Sequence, residues 1–337
     1  MIKTLPKLIL NLLVLFFGSN IKAQDLHFSQ YFEAPLYRNP ALAGIVNGDI
    51  RVQSIYRSQW NTVAQAYRTG SVNAEYKLPV VGDDFLTLGM QVFYDKAGSA
   101  DFTSTHLLPA LNYHKSLSSE KNMYLSLGIM GGWVERKIDR SKITTNSTYE
   151  GRGDGENNLL PRHTYFDGTA GLSLNMGLND NPENNLVLGA AYHHFNKPKY
   201  SFFNDENVAV VPKWVYSADV KFAVSEYSTI TIHSDHVRQG NYQETMAGLM
   251  YGLKLGGYVD EPDYKISGGA FLRMGDAIIP TLKVDYKPFA FSMSYDVNIS
   301  KLARTSLGRG GVEFSLTYVG FLDRYNSSAN AVNCPRF

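Results

Sequence analysis

The sequence predicts an all-β fold, a transmembrane antiparallel β-barrel of about 14 strands with an ordered N-terminal segment. Three observations lead there. Apolar residues occupy every second position in strand after strand, most plainly between Gly268 and Gly320. The chain opens like an exported protein, yet beyond that opening no apolar run approaches the ~18 residues a membrane helix needs. Tyr (22), Phe (18) and Gly (29) are abundant, as suits strands whose aromatic residues meet a bilayer interface.

The N-terminal pattern comes first in the chain. Lys3 and Lys7 lead into an apolar run from Leu8 to Phe17, broken only by Asn11, and small residues follow to Ala23. A basic start, an apolar stretch of ~7–15 residues and a small residue at the cut define a secretory signal peptide. Cleavage is expected after Ala23. The expected organisation is therefore a signal peptide over 1–23, an N-terminal segment over 24–48, a barrel over 49–320 and a tail over 321–337. The segment over 24–48 would act as a plug or a periplasmic contact. The chain carries 32 basic and 31 acidic residues, and loss of Lys3, Lys7 and Lys22 with the signal leaves 29 against 31. Such a balance excludes the basic surface that nucleic acid requires. Cys334, the single cysteine, can form no internal disulfide and lies far from the cleavage site where a lipoprotein acceptor belongs.

The segment from Gln24 to Gly48 does not alternate. It carries Phe28, Tyr31, Phe32 and Tyr37 among Pro35 and Pro40. Strands are expected over 49–56, 69–78, 86–95, 104–117, 122–137, 164–178, 185–195, 213–224, 228–238, 242–255, 264–274, 278–287, 289–298 and 310–319. In the penultimate one, Phe289, Phe291, Met293, Tyr295 and Val297 alternate with Ala290, Ser292, Ser294, Asp296 and Asn298, making one apolar and one polar face. A soluble sandwich would also alternate, but its strands usually run ~5–6 residues, shorter than most of these. Tyr76, Tyr94, Tyr113, Tyr192, Tyr286, Tyr295 and Tyr318 lie near strand ends, where aromatic girdles belong. The long polar intervals 139–162 and 196–212 both follow odd-numbered strands. With a periplasmic N-terminus they are extracellular loops.

Candidate chemistry is sparse. His233, Asp235 and His236 share one strand, with His233 and Asp235 on one face, where a carboxylate could orient a histidine base. With Ile230 and Ile232 facing lipid on the other side of the strand, this reads instead as a polar lumen wall. His193 and His194, being adjacent in a strand, are expected on opposite faces and unable to share a metal. Gly151-Arg152-Gly153-Asp154-Gly155 lacks the Gly-Lys-Ser/Thr of a phosphate loop and reads as a loop tip. Neither a Gly-x-Ser-x-Gly elbow nor a His-Glu-x-x-His pair occurs. The residues thus point to a barrel that is not an enzyme, with no cofactor or metal.

Several motifs, taken in order, resemble a known family. They are Phe28-Ser29-Gln30-Tyr31, Asn39-Pro40-Ala41 with Gly44, Arg57 with Trp60, Arg273 with Gly275 and Asp276, Asp296 with Asn298, Glu313 in its strand, and Cys334 near the end. Together they are similar to the PorP/SprF family of type IX secretion system membrane proteins. The resemblance implies an outer-membrane barrel of gliding and secreting Bacteroidota, associated with periplasmic ring and motor components. Some members are paired with particular cargo, large adhesins included. A role as adaptor or anchor for export or surface attachment is expected. About 14 strands enclose less space than the ~16–18 of open porins, so folded cargo is not expected to pass through. A fatty-acid-transporter-like or small-solute channel is the alternative. On the polar face, Arg273, Asp276, Asp296 and Glu313 are expected to form a lumen network of paired charges, since buried charges need partners.

Overall fold

The computed structural model describes residues 27–59, 67–80, 82–152, 159–179, 181–257, 262–300 and 308–322. Trp60, Cys334, the Ala23 cleavage site and residues 153–155 of the glycine-rich tip lie outside them. The strands are β1 (Ile50–Gln59), β2 (Tyr67–Pro79), β3 (Phe85–Ala97), β4 (Phe102–Ser118), β5 (Met123–Lys137), β6 (Arg162–Gly177), β7 (Asn185–His193), β8 (Lys213–Ser225), β9 (Ser228–Gln239), β10 (Tyr242–Leu255), β11 (Tyr264–Arg273), β12 (Ala277–Tyr286), β13 (Phe289–Asn298) and β14 (Arg309–Gly320). Each pairs antiparallel with the next, and β1 pairs with β14, Ile50 opposite Gly320 and Gln59 opposite Gly311, which closes the barrel. The expected strands match these in number, and their ends agree to within three residues. Closure leaves no unpaired sheet edge, the condition for a β-structure in lipid.

The alternation resolves into two faces of opposite chemistry. Leu125, Leu127 and Ile129 of β5 are 44, 56 and 54 % exposed, whereas Ser126 and Met130, on the opposite parity, are 0 and 5 %. Phe289, Phe291, Met293, Tyr295 and Val297 of β13 all face outward too. A continuous apolar band of this kind far exceeds the few hundred Å² a soluble monomer exposes; its solvent is lipid. Aromatic stacks mark both rims. Trp214 lies 4.4 Å from Tyr192 and 6.0 Å from Tyr216 at one end, and Tyr264 stacks on Tyr286 at 4.7 Å at the other. Because Ile129 sits near the middle of its strand, Ile129→Arg is expected to destabilise the folded barrel by about 2–4 kcal/mol. Urea unfolding in lipid vesicles would measure the loss, and Ser173→Ala on the inner face should cost much less.

Residues 27–49 occupy the lumen. Tyr31–Glu33, Pro35–Arg38 and Pro40–Leu42 form short helical turns, with proline opening two of them, where its missing N–H is harmless. Such turns satisfy the backbone locally, as a segment without a strand partner must. Its wall contacts progress along the barrel axis. Gln30 meets Ser292 and Ser294, Arg38 meets β8 and β9 midway, Ala41 meets Asn112 and Ser173, and Gly44 meets Glu75. The Asp49 N–H then bonds the Gly320 carbonyl at 2.9 Å, and the chain enters β1. The segment therefore threads from the mouth farther from Ile50 and Gly320 to the mouth beside them. The two longest connections among the described strands, after β5 and after β7, stand at the far mouth.

The inner wall is not uniformly polar, contrary to the simplest expectation for a barrel lumen. Met246, Met250, Phe271 and Ile279 pack on Tyr31 and Phe32; Leu108, Ala110 and Met130 pack on Leu36 and Ala43; Phe85, Tyr124 and Val187 pack on Leu42 and Ile45. Each patch would face water in an empty barrel. The segment supplies the other half of a conventional core.

Candidate functional site

The site that the fold builds is the junction between this plug and the wall. At its far end, Glu313 (fully buried) accepts the backbone N–H groups of Ser29 at 2.6 Å and Gln30 at 2.8 Å, and also pairs with Arg57. Arg57 reaches Asp296 at 2.8 Å, and Arg273 reaches Asp296 at 3.3 Å and Asp276 at 2.9 Å. The Ser29 hydroxyl accepts from both Arg57 and Arg273. Gln30 donates to Ser294 at 3.0 Å and accepts from Ser292 at 2.7 Å. Sequence-predicted Arg273, Asp276, Asp296 and Glu313 thus lie in one cluster. Arg57, which pairs with two of its carboxylates, ties together a group that Arg273 alone would not span.

Of the remaining described motif positions, those of the plug line the same junction, whereas Gly275 and Asn298 shape the wall itself. Phe28 packs edge-on against Tyr37 at 5.6 Å and Phe93 at 5.9 Å. Tyr31 lies under the Arg38 guanidinium at 5.2 Å. The Asn39 side chain caps the Pro40–Leu42 turn through Ala41 N–H and donates to the Leu172 carbonyl at 3.0 Å. Ala41 offers its carbonyl to Asn112 and Ser173, both at 2.8 Å. Gly44 has φ +80°, and a Cβ there would fall 3.0 Å from Thr87 Cβ and closer still to its hydroxyl, so glycine is required twice over. Gly275, with φ +74°, forms the tight turn between β11 and β12. Asn298 donates to the Arg309 carbonyl at 3.2 Å, pinning β13 to β14.

Four further ion pairs, in three groups, bind the plug or brace the wall beside it; of their members sequence reasoning named only Asp235, and none of the pairings. Arg38 forks between Asp219, at 2.9 Å from Nη2, and Asp235, at 2.7 Å from Nε. Glu33 pairs with Lys283 and accepts from Gln53 at 3.0 Å. Arg51 and Glu75, on neighbouring strands, pair at 2.7 Å, and Glu75 also accepts the Gly44 N–H. The signal was present in the inward parity of these strand residues, since each charge on a lumen face demands a partner; which partner depends on how the plug lies.

The histidines take structural positions. His233 and Asp235 do share the inner face, but His233 Nδ1 bonds Asp219 at 2.8 Å while Asp235 binds Arg38, and the imidazole stacks on Phe32 at 4.8 Å. His236 points outward and bonds Thr245 at 2.9 Å. His193 and His194 depart from the expected opposite faces. Strand β7 ends at His193, His194 has φ +56°, and its ring turns inward to Asp167 at 2.8 Å. The strand parity argument fails one residue past the strand. Among the described residues no three His, Cys, Asp or Glu side chains converge as a metal site.

Close packing between plug and wall appears at Gly128 of β5, where a Cβ would lie 2.7 Å from the Pro40 carbonyl oxygen and closer to the Ala41 nitrogen. Gly128→Ala is expected to destabilise by about 1–3 kcal/mol through overpacking. Gly268→Ala, where a Cβ meets nothing within 4 Å, should leave the heat-induced shift in gel mobility unchanged.

A closed, lipid-facing barrel whose lumen is filled by its own N-terminal segment defines an outer-membrane β-barrel protein. The profile of the type IX secretion system membrane protein PorP/SprF matches residues 20–318, and the chain belongs to that family. No curated protein matches it. Among solved structures it is similar to the toluene transporter TbuX of Ralstonia pickettii, at 12 % identity, covering 85 % of this chain and 92 % of that one, with a TM-score of 0.51. It is also similar to a deltaS2S3 mutant of the monoaromatic hydrocarbon channel TodX, at 11 % identity, covering 85 % and 93 %, with a TM-score of 0.52. At such identities these likenesses establish the shared barrel fold.

Proposed function

We propose that this protein is a non-catalytic adaptor or anchor of the type IX secretion system, serving the export or surface attachment of specific cargo such as a large gliding adhesin. The observation that carries this reading is the lumen filled by residues 27–49 and locked to the wall by buried ion pairs at Arg38 and Glu33 and by the Glu313 carboxylate on the Ser29 and Gln30 N–H groups. A filled barrel offers loops and mouths for binding, and loops on a rigid scaffold are where partner choice resides. Its partners are then outer-membrane lipid on the apolar band, a type IX cargo protein at the far mouth and periplasmic secretion or motor-ring components at the other. This orientation places the long connections after β5 and β7 outside the cell. The Ala23 cleavage belongs to the same reading. Deleting the gene should abolish surface display of one or a few type IX cargo proteins; unchanged display of all of them would overturn the proposal.

One feature favours the small-solute channel instead: a cavity of about 270 Å³ remains beside the plug at the far mouth. Saturable solute uptake by liposomes containing the purified protein would support that alternative.

A further inference from the structure

We infer that the far-mouth cavity is a binding site for a small amphiphilic carboxylate, with Arg136 as its anion receptor. This goes beyond the adaptor reading and stands independently of it. Arg136 faces inward from β5, opposite Ser104 of β4. Its guanidinium lies 4.7 Å from the Tyr200 ring and 5.6 Å from the Tyr165 ring. Such contacts fix and partly desolvate a cation but satisfy none of its five N–H donors. Its Nε is buried without a hydrogen-bond partner. Arg136 is thereby set apart: among the described residues, the other lumen arginines, Arg38, Arg51, Arg57 and Arg273, each pair with a carboxylate.

The acidic groups around the cavity are otherwise engaged. Asp95 accepts from Thr69 at 2.6 Å and lies within the field of Arg136 without reaching ion-pair contact, and Asp167 is held by His194 and the Gly168 N–H. Lower in the cavity lies Gln91, fully buried, with neither its amide nitrogen nor its amide oxygen bonded. Buried polar groups are rarely left in this state. The cavity thus presents a guanidinium suited to bidentate carboxylate binding and an amide with one acceptor and donors to offer. Between them, Tyr37, Phe93, Phe102, Leu108 and Met130 form an apolar wall. The space is roughly that of nine waters at ~30 Å³ each, enough for a single ring or a short alkyl chain. Inorganic anions match the cation but not this wall.

Two sources could supply such a group: a free organic acid, or the terminal carboxylate of a peptide. Calorimetric titration of the full chain in nanodiscs with phenylacetate and with N-acetylphenylalanine separates them, each compared with its uncharged amide. Saturable binding of either acid, at least tenfold tighter than its amide, is expected. Tighter binding of phenylacetate assigns the free acid, and of N-acetylphenylalanine the peptide end. Arg136→Gln should weaken binding roughly tenfold or more, with Arg136→Lys intermediate. Gln91→Leu, which alters no charge, should weaken it severalfold; heat-modified gel mobility verifies that each variant is folded. Equal binding of acid and amide, unchanged affinity in folded Arg136→Gln, no saturable binding, or equally effective competition by inorganic phosphate would each overturn the assignment.

Discussion

Arg38→Ala is expected to cost about 3–5 kcal/mol of barrel stability, the penalty for leaving buried charges without their partner. The substitution strands Asp219 and Asp235, both buried, facing each other across the place the guanidinium held. His233 can serve only Asp219. Arg38→Lys should recover a minor part, because an ammonium cannot fork to two carboxylates as a planar guanidinium does. The triple change Arg38→Met with Asp219→Asn and Asp235→Asn should recover most of the loss, since removing all members of a buried ionic group is often nearly neutral. Urea midpoints of vesicle-refolded protein measure each variant. A loss below about 1 kcal/mol for Arg38→Ala would show that the cluster does not hold the plug.

The second large effect is expected at Glu313. Glu313→Ala leaves buried Arg57 and the N–H groups of Ser29 and Gln30 without their acceptor, a loss of about 3–5 kcal/mol by the same reasoning. Glu313→Gln keeps one acceptor oxygen and should cost less. Because Glu313 and Arg38 share no partner, their losses should add. The two differ in consequence: Arg38→Ala weakens the plug at mid-lumen, whereas Glu313→Ala frees its far-mouth end and should let ions enter from that side.

The barrel was legible in the sequence because lipid and lumen impose opposite chemistry on alternate residues of one strand, as in Phe289 to Asn298. For Arg273, Asp296 and Glu313 the grouping was legible for the same reason, as charges of inward parity on their strands, while Asp276 joins them from the turn after β11. How the cluster divides was not. Glu313 serves Arg57 and the plug backbone, and Ser29 is separated from it by 284 residues, a pairing no local pattern encodes. The plug itself has no period to read, because its turns at Tyr31, Pro35 and Pro40 follow the relief of a wall built from the rest of the chain. Arg38, Glu33 and the pairings they make were missed with it. His194 was misplaced for a smaller reason, the end of β7 one residue earlier.

The most direct test of a plugged, non-conducting barrel is planar-bilayer recording of the purified protein with and without residues 28–46. The intact protein should give no conductance steps, and the deletion should open a steady pore, because a barrel of 14 strands without its filling leaves a polar lumen wide enough for ions. Steady steps from the intact protein that the deletion leaves unchanged would contradict the plug.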